Sequence, residues 1–171
     1  MNISGGTFKG RKISSPDEKI TRPTLSKVRM GVFNTLFSII GEFENESFLD
    51  VFAGSGIMGL EALSRGFSKA TLIELNRKSA SVIKSNFSNI GVECNLILGD
   101  SLKMISKLEN KYTVAYVDPP YQSGLYREVV EKLEHICEFI VLEHPTNIEI
   151  DFDNIIKQKK YGDKIITYIK N

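Results

Sequence analysis

The sequence predicts an α/β fold built on a mostly parallel, doubly wound sheet that closes with a C-terminal antiparallel hairpin. Three observations predict it. Short β-rich runs alternate with helical patterns from Glu46 onward, the rhythm of βαβ units. A G-x-G-x-x-G turn stands between the first such run and the first helix that follows it. After Pro145 the alternation stops, and two β-rich runs flank Gly162-Asp163, a connection suited to a hairpin. At 171 residues, 42% of them apolar and 25% charged, the chain fits one domain over 1–171 with its own core.

The elements follow in order. Gly5-Gly6-Thr7-Phe8-Lys9-Gly10-Arg11-Lys12-Ile13 combines turn glycines with alternating character and reads as a small hairpin. Arg22-Pro23-Thr24 leads into a helix over Ser26–Ile40, whose stripe of Val28, Val32, Phe33, Leu36, Phe37 and Ile40 is a packing face. Residues 1–40 thus form an N-terminal extension laid on the sheet. Strands are predicted at Ser47–Phe52, Lys69–Leu75, Asn95–Leu98, Thr113–Val117 and Phe139–Glu143. Helices fall between them at Ile57–Arg65, Lys78–Ile90, Leu102–Leu108 and Tyr126–Ile136, the last with Val129, Val130 and Leu133 on one side. Ile155–Tyr161 and Lys164–Ile169 are the closing hairpin.

No apolar run approaches the ~20 residues that cross a bilayer, and the polar opening Met1-Asn2-Ile3-Ser4-Gly5 lacks the regions of a secretory signal. Cys94 and Cys137 are not in metal-ligand spacing. The expectation is a cytoplasmic, monomeric protein with reduced thiols, no metal and no membrane. The net charge of +1 is uninformative, but its distribution is not. Residues 1–30 carry a net +5 and the remainder −4, a basic arm on an acidic body. That is the footprint of a phosphate-backbone partner, or else of a merely solvated terminus.

Gly54-Ser55-Gly56-Ile57-Met58-Gly59 follows a strand and opens a helix, and Glu74 lies 20 residues beyond Gly54 at the end of the next strand. Glycines permit a tight turn and close approach of a ligand, and the acid can accept from ribose hydroxyls. The pattern points to an adenosine-containing cofactor, either a dinucleotide or S-adenosylmethionine. Asp50, inside the first strand, would crowd a pyrophosphate but suits the ammonium of a methionine moiety. Asp100, in Gly99-Asp100-Ser101, can take an adenine amino group or cap a helix.

Asp118-Pro119-Pro120-Tyr121 ends the fourth strand, at the sheet edge where α/β proteins bind ligands. Two prolines remove two N–H donors and leave acceptors beside a carboxylate and an aromatic ring. Such a site suits an –NH2 on a planar ring. That amine is a poor nucleophile, because its lone pair is delocalised. Hydrogen bonds to the Asp118 carboxylate and the Pro119 carbonyl favour a pyramidal nitrogen and stabilise the charge it develops. Tyr121 can stack on the ring.

Together FAGSGIMGLEALSRG (52–66) and YVDPPY (116–121) resemble the bacterial small-subunit rRNA guanine-N2 methyltransferase family. ISGGTFKGRKI (3–13) and TRPTLSKVRMGVFNTL (21–36) are similar to that family's opening, and the likeness runs to about Glu143. The resemblance implies a class I S-adenosylmethionine-dependent methyltransferase fold. It implies transfer to one guanine of 16S rRNA, guanine 966 in the family, within an assembled or partly assembled small subunit. Carried over, Asp50, Phe52, Gly54, Gly56, Glu74, Asp100 and Ser101 would hold S-adenosylmethionine. Asp118, Pro119 and Tyr121 would hold the guanine amine, and Lys9, Arg11, Lys12, Arg22 and Arg29 would contact rRNA. Phe67 stands where the family has small residues, and the tail after Pro145 matches weakly.

Other readings fit less of the chain. An adenine-N6 DNA methyltransferase shares Asp-Pro-Pro-Tyr but normally needs a recognition domain that has no counterpart in this sequence. A nicotinamide-dependent oxidoreductase explains the glycine turn alone, and a non-catalytic RNA-binding module explains the arm alone. His135 and His144 enter none of these readings.

Overall fold

The computed structural model describes residues 1–16, 25–120 and 124–171. Its elements are α1 (Ser26–Ile40), β1 (Ser47–Asp50), α2 (Ile57–Ser64), β2 (Lys69–Glu74), α3 (Arg77–Ile90) and β3 (Asn95–Leu98). They are followed by α4 (Ser101–Ile105), β4 (Tyr112–Val117), α5 (Tyr126–Leu133), β5 (Cys137–Pro145), β6 (Ile155–Tyr161) and β7 (Lys164–Lys170). The seven strands form one sheet in the order β3-β2-β1-β4-β5-β7-β6. β1 to β5 pair in parallel, and β7 enters antiparallel between β5 and β6. The expected single antiparallel strand is therefore there.

The alternation of side chains divides the core in two. Phe48, Leu72, Val114, Tyr116 and Val141 face one way, under α1, α2 and α3. Leu49, Ile73, Ala115, Val117 and Ile140 face the other, with Ile105 of α4 and Val129, Val130 and Leu133 of α5. Helix ends follow local chemistry. The Asn76 side chain accepts from the N–H groups of Lys78 and Ser79 to start α3, and Gly91 ends it at φ 82°. α4 is shorter than its apolar run, because Lys107 and Leu108 bond back only three residues, to Met104 and Ile105. β5 is longer than expected, since its antiparallel ladder with β7 runs from Phe139↔Lys170 to Pro145↔Lys164.

The predicted N-terminal hairpin is a single antiparallel bridge, Asn2↔Lys12, whose loop lies flat on the C-terminal end of α2. Ser64 holds it at three points. Its Oγ donates to Gly5 O (2.6 Å) and accepts from Phe8 N–H (2.9 Å), while its carbonyl accepts from Thr7 N–H (2.7 Å). A side chain at Gly6, which sits at φ +75°, would collide with the Ser64 carbonyl, and one at Gly5 would meet the Arg65 guanidinium. The glycine pair is thus a condition of close approach.

Beneath the loop, Glu61 is fully buried. Its Oε1 accepts from Ser4 N–H (2.6 Å) and Arg29 Nε (3.1 Å), and its Oε2 from Arg65 Nε (3.3 Å). Arg29 also donates to Asn2 O (2.8 Å). The expectation that Arg29 contacts rRNA is corrected here: at 2% exposure it points into the protein, where a lone guanidinium would be costly without Glu61. Phe67 likewise has a structural reason. It stacks on Phe43 at 4.4 Å and meets Phe33 and Phe48 edge-on, filling the space beneath α1.

Removing Glu61 leaves two guanidinium groups without their shared carboxylate. Glu61→Ala is expected to lower unfolding stability by about 3–5 kcal/mol, read from urea melts. A loss below about 1 kcal/mol, the worth of an exposed pair, would mean that the arm is not anchored through this residue.

Candidate active site

The C-terminal ends of the parallel strands surround a cavity of about 490 Å³. Its walls include Asp50 and Phe52 at the end of β1, Gly54 and Ser55 of the glycine turn, and Glu74, Leu75 and Asn76 at the end of β2. Asp100 and Ser101 at the start of α4, and Tyr116, Asp118, Pro119 and Pro120 at the end of β4, complete most of it. The fold thus brings eight of the ten sequence-derived cofactor and catalytic positions to one cavity. Tyr121 lies outside the described residues, as does Arg22 of the basic arm. Gly56 is the exception. It is buried at φ +78°, and a Cβ there would lie 3.1 Å from Phe87 and 3.2 Å from Ile83 and Leu72. Its lack of a side chain serves packing of the turn against α3 and β2.

Two predicted ligand-binding side chains also carry structure. Glu74 accepts from Gly54 N–H (2.7 Å) through Oε2 and from Asn76 N–H (2.7 Å) through Oε1. The acid at the end of β2, on the cavity lining, therefore locks the glycine turn to the next loop. Asp100 is the N-cap of α4, accepting from Lys103 N–H (3.1 Å). Ser101 donates to Val51 O (2.7 Å) and ties α4 to β1.

Asp50 is different in kind. It is 1% exposed, and among the described residues neither carboxylate oxygen has a hydrogen-bond partner. Burial, with the charges of Asp118 and Glu74 nearby, pushes its pKa up to about 8. The Phe52 N–H pulls weakly the other way without closing a hydrogen bond of ordinary geometry. An acceptor buried at this cost, on a cavity wall, fits a ligand that brings a cation or several N–H donors.

Several residues at the site carry no sequence signal of their role. Leu75 is 67% exposed on the cavity rim, an apolar face beside the acid that closes β2. Lys164, from the start of β7, lines the cavity although it is 4% exposed, and it donates to buried Glu143. Asn86 joins the arm to the glycine turn, accepting from Ser14 N–H (2.8 Å) and donating to Ser14 O (2.9 Å) and Ser55 O (3.0 Å). Met1 lies on the cavity rim, so the arm starts beside the site. Lys9, Arg11 and Lys12 are exposed on that arm, but Arg11 also clamps it to the end of α3 through Asn89 O (2.7 Å) and Ile90 O (3.3 Å). His144 is buried and satisfied: its Nδ1 donates to Pro145 O (3.1 Å) and its Nε2 bonds Thr167 (2.9 Å).

Over residues 1–170 the chain matches the protein family described as conserved hypothetical protein 95. It is 36% identical over 135 residues to the ribosomal RNA small subunit methyltransferase D of Buchnera aphidicola (from Acyrthosiphon pisum), spanning 78% of this chain and 69% of the relative. Against the protein of that name in Escherichia coli K12 it is 35% identical over 135 residues, spanning 78% and 67%. Among solved structures, an Escherichia coli protein named as a methyltransferase superposes with a TM-score of 0.84 at 28% identity, over 99% of this chain and 97% of the other.

The raised pKa of Asp50 has a testable sign. The folded protein holds the Asp50 proton more tightly than the unfolded chain, whose carboxyl titrates near 3.8. Stability from this group is therefore full below pH 4 and is lost as pH rises toward 8. Asp50→Asn should be more stable than wild type at pH 8 and show a flatter decline from pH 5, by urea midpoints. A variant less stable than wild type at pH 8 would mean that Asp50 has a stabilising partner in the folded state.

Proposed function

This chain belongs to the family described as conserved hypothetical protein 95, with the small-subunit rRNA methyltransferases D among its relatives, and from that membership we propose its reaction. It transfers a methyl group from S-adenosylmethionine to the exocyclic N2 amine of a guanine in 16S rRNA, guanine 966 in the family, within an assembled or partly assembled small subunit. The observation that carries this reading is a single cavity with Asp50 on one wall and Asp118-Pro119 on another. One group calls for a cationic ligand, and the other offers two acceptors to an amine.

S-adenosylmethionine, when bound, supplies an electrophilic methyl on a sulfonium and needs no metal. The chain does the rest. Asp50 accepts from the ammonium of the methionine end, which removes the cost of its burial. Glu74 keeps the glycine turn closed and accepts from ribose hydroxyls. Asp100 accepts from the adenine amine, while Leu75 and Phe52 offer apolar faces to the rings. The Asp118 carboxylate and Pro119 carbonyl accept from the two N–H groups of the guanine amine. They concentrate the nitrogen lone pair and stabilise the positive charge that grows as the methyl arrives. Tyr121 stacks on the base. A base within a helix cannot enter such a cavity, so the target is an unpaired or extruded nucleotide.

The basic arm supplies the RNA contact through Lys9, Lys12 and Arg22, with Arg11 shared between phosphate and the end of α3. The rRNA substrate puts the reaction in the cytoplasm. No helix among the described residues is long and apolar enough to cross a membrane.

Labelled methyl transfer to small subunits lacking base methylation, followed by nucleoside analysis, should yield N2-methylguanosine. N6-methyladenosine, or transfer to DNA alone, would overturn the substrate. Asp118→Ala should lower kcat by at least ~100-fold while S-adenosylhomocysteine affinity stays within about twofold. Retained activity would remove Asp118 from the chemistry. Lys9/Lys12→Ala is the variant that leaves the Arg11 clamp in place. Its RNA affinity should be weaker, with a salt dependence shallower by about one to two ions. An unchanged salt slope would mean that the arm does not touch phosphate.

A further inference from the structure

Across the C-terminal edge of the sheet, four polar side chains share one face. Asp50 of β1 stands directly opposite Tyr116 of β4 in the parallel ladder. Glu143 lies two residues beyond Val141, the β5 partner of Tyr116, and Lys164 two residues before Ile166, the β7 partner of Glu143. Steps of two keep all of them on the side that carries α1 and α2. The Tyr116 hydroxyl donates to Glu143 Oε2 at 2.5 Å, and the Lys164 ammonium donates to Glu143 Oε1. Tyr116, Glu143 and Lys164 are all buried, at 2%, 0% and 4% exposure, and the first and last line the cavity.

We propose that Lys164, delivered by the C-terminal hairpin, is a positioning residue for methyl transfer that acts through Glu143 to fix Tyr116 between Asp50 and Asp118. The inference rests on the function proposed above and names a part of that site which the sequence leaves unassigned.

The energetic argument starts from the ion pair. A lysine and a glutamate withdrawn from water regain, at best, roughly what they lose, and apolar residues of like volume would hold β5 to β7 as well. What an apolar pair cannot do is accept a hydrogen bond from Tyr116. A phenol donating to a carboxylate makes a short, charge-assisted bond. Burial and the Glu143 charge hold the Tyr116 hydroxyl well above its usual pKa, so it stays a donor throughout the working range. The lysine ammonium holds Glu143 Oε1, and Glu143 Oε2 holds the ring through its hydroxyl.

That ring is placed to matter. Tyr116 is two residues before Asp118 in the chain and directly paired with Asp50, so it adjoins both the carboxylate proposed for the ammonium and the acceptors proposed for the amine. Its orientation sets the wall against which donor and acceptor must align. In-line transfer is sensitive to misplacement on the ångström scale, and a displaced wall costs up to about a hundredfold in rate. The hairpin is therefore part of the catalytic apparatus, although its Lys164 stands 21 residues after Glu143 and 48 after Tyr116 in sequence.

Steady-state transfer to unmethylated small subunits, with S-adenosylhomocysteine affinity measured by calorimetry, tests this on Tyr116→Phe, Lys164→Arg, the pair Lys164→Met/Glu143→Leu and the triple variant. The pair removes both buried charges together, which keeps the fold. The expected result is a ~10–100-fold lower kcat in Tyr116→Phe and in the pair, with ligand affinity within about twofold. The triple should be no slower than the pair, since both act through one ring, and Lys164→Arg should retain most of kcat. Wild-type kcat in the pair would overturn the proposal, as would a kcat loss matched by an equal loss of ligand affinity. If the pair does not fold, wild-type kcat in Tyr116→Phe, which lacks one oxygen, overturns it alone. Absence of transfer by the wild-type chain would overturn the proposed function, and this inference with it.

Discussion

The carboxylate of Glu61 is the interaction on which the arrangement of this molecule turns. It is buried, and it collects the N–H of Ser4, the guanidinium of Arg29 and that of Arg65 at one point. Three segments that have no sequence proximity are thereby held together: the arm, α1 and α2. Because α2 begins at the glycine turn, the helix that anchors the arm at its C-terminal end shapes the cavity at its N-terminal end. Asn86 repeats the connection from α3, bonding both Ser14 of the arm and Ser55 of the turn. A surface that would dock RNA and a pocket that would hold a methyl donor are thus two ends of one rigid assembly.

The cavity itself is built on the opposite principle. Where Glu61 is fully paired, Asp50 has no hydrogen-bond partner among the described residues, and its pKa is pushed up to about 8. A buried acceptor left in this state lowers the stability of the ligand-free protein and strengthens the response to a ligand that satisfies it. The neighbouring groups are arranged so that this cost is local. Glu74 and Asp100 have backbone partners, Ser101 is bonded to β1, and the Tyr116–Glu143–Lys164 row is internally satisfied. The site is firm at its walls and unsatisfied at one atom pair, which is the pattern of a pre-organised binding site.

Much of this was legible in the sequence, because it rests on periodicity and local chemistry. The bounds of α1 and β3 match the hydrophobic pattern, and the glycine turn, the acid after β2 and Asp-Pro-Pro fall at strand ends, where topology alone brings them together. Phe67 owes its place to packing against Phe33, Phe43 and Phe48, which no local pattern announces. The one misreading has a plain cause. Arg29 counts as a surface charge in any tally of the arm, yet it is buried. Whether a charge faces water or a buried carboxylate depends on a residue 32 positions away.

The sequence by itself determined the order of strands and helices along the chain, the sheet edge that carries the cavity, and the glycine turn and Asp118-Pro119 that line it. These depend on side-chain period, on turn residues and on the right-handed crossover of βαβ units, all of which are local or topological. Only the tertiary structure decided that Glu61 is a hub, that Arg29 points inward, that Asp50 has no hydrogen-bond partner among the described residues and that Lys164 of the closing hairpin reaches the cavity wall. Each of those is a question of burial and of partners distant in the chain. The worth of a charge in a protein is set by what surrounds it, and no residue carries that information alone.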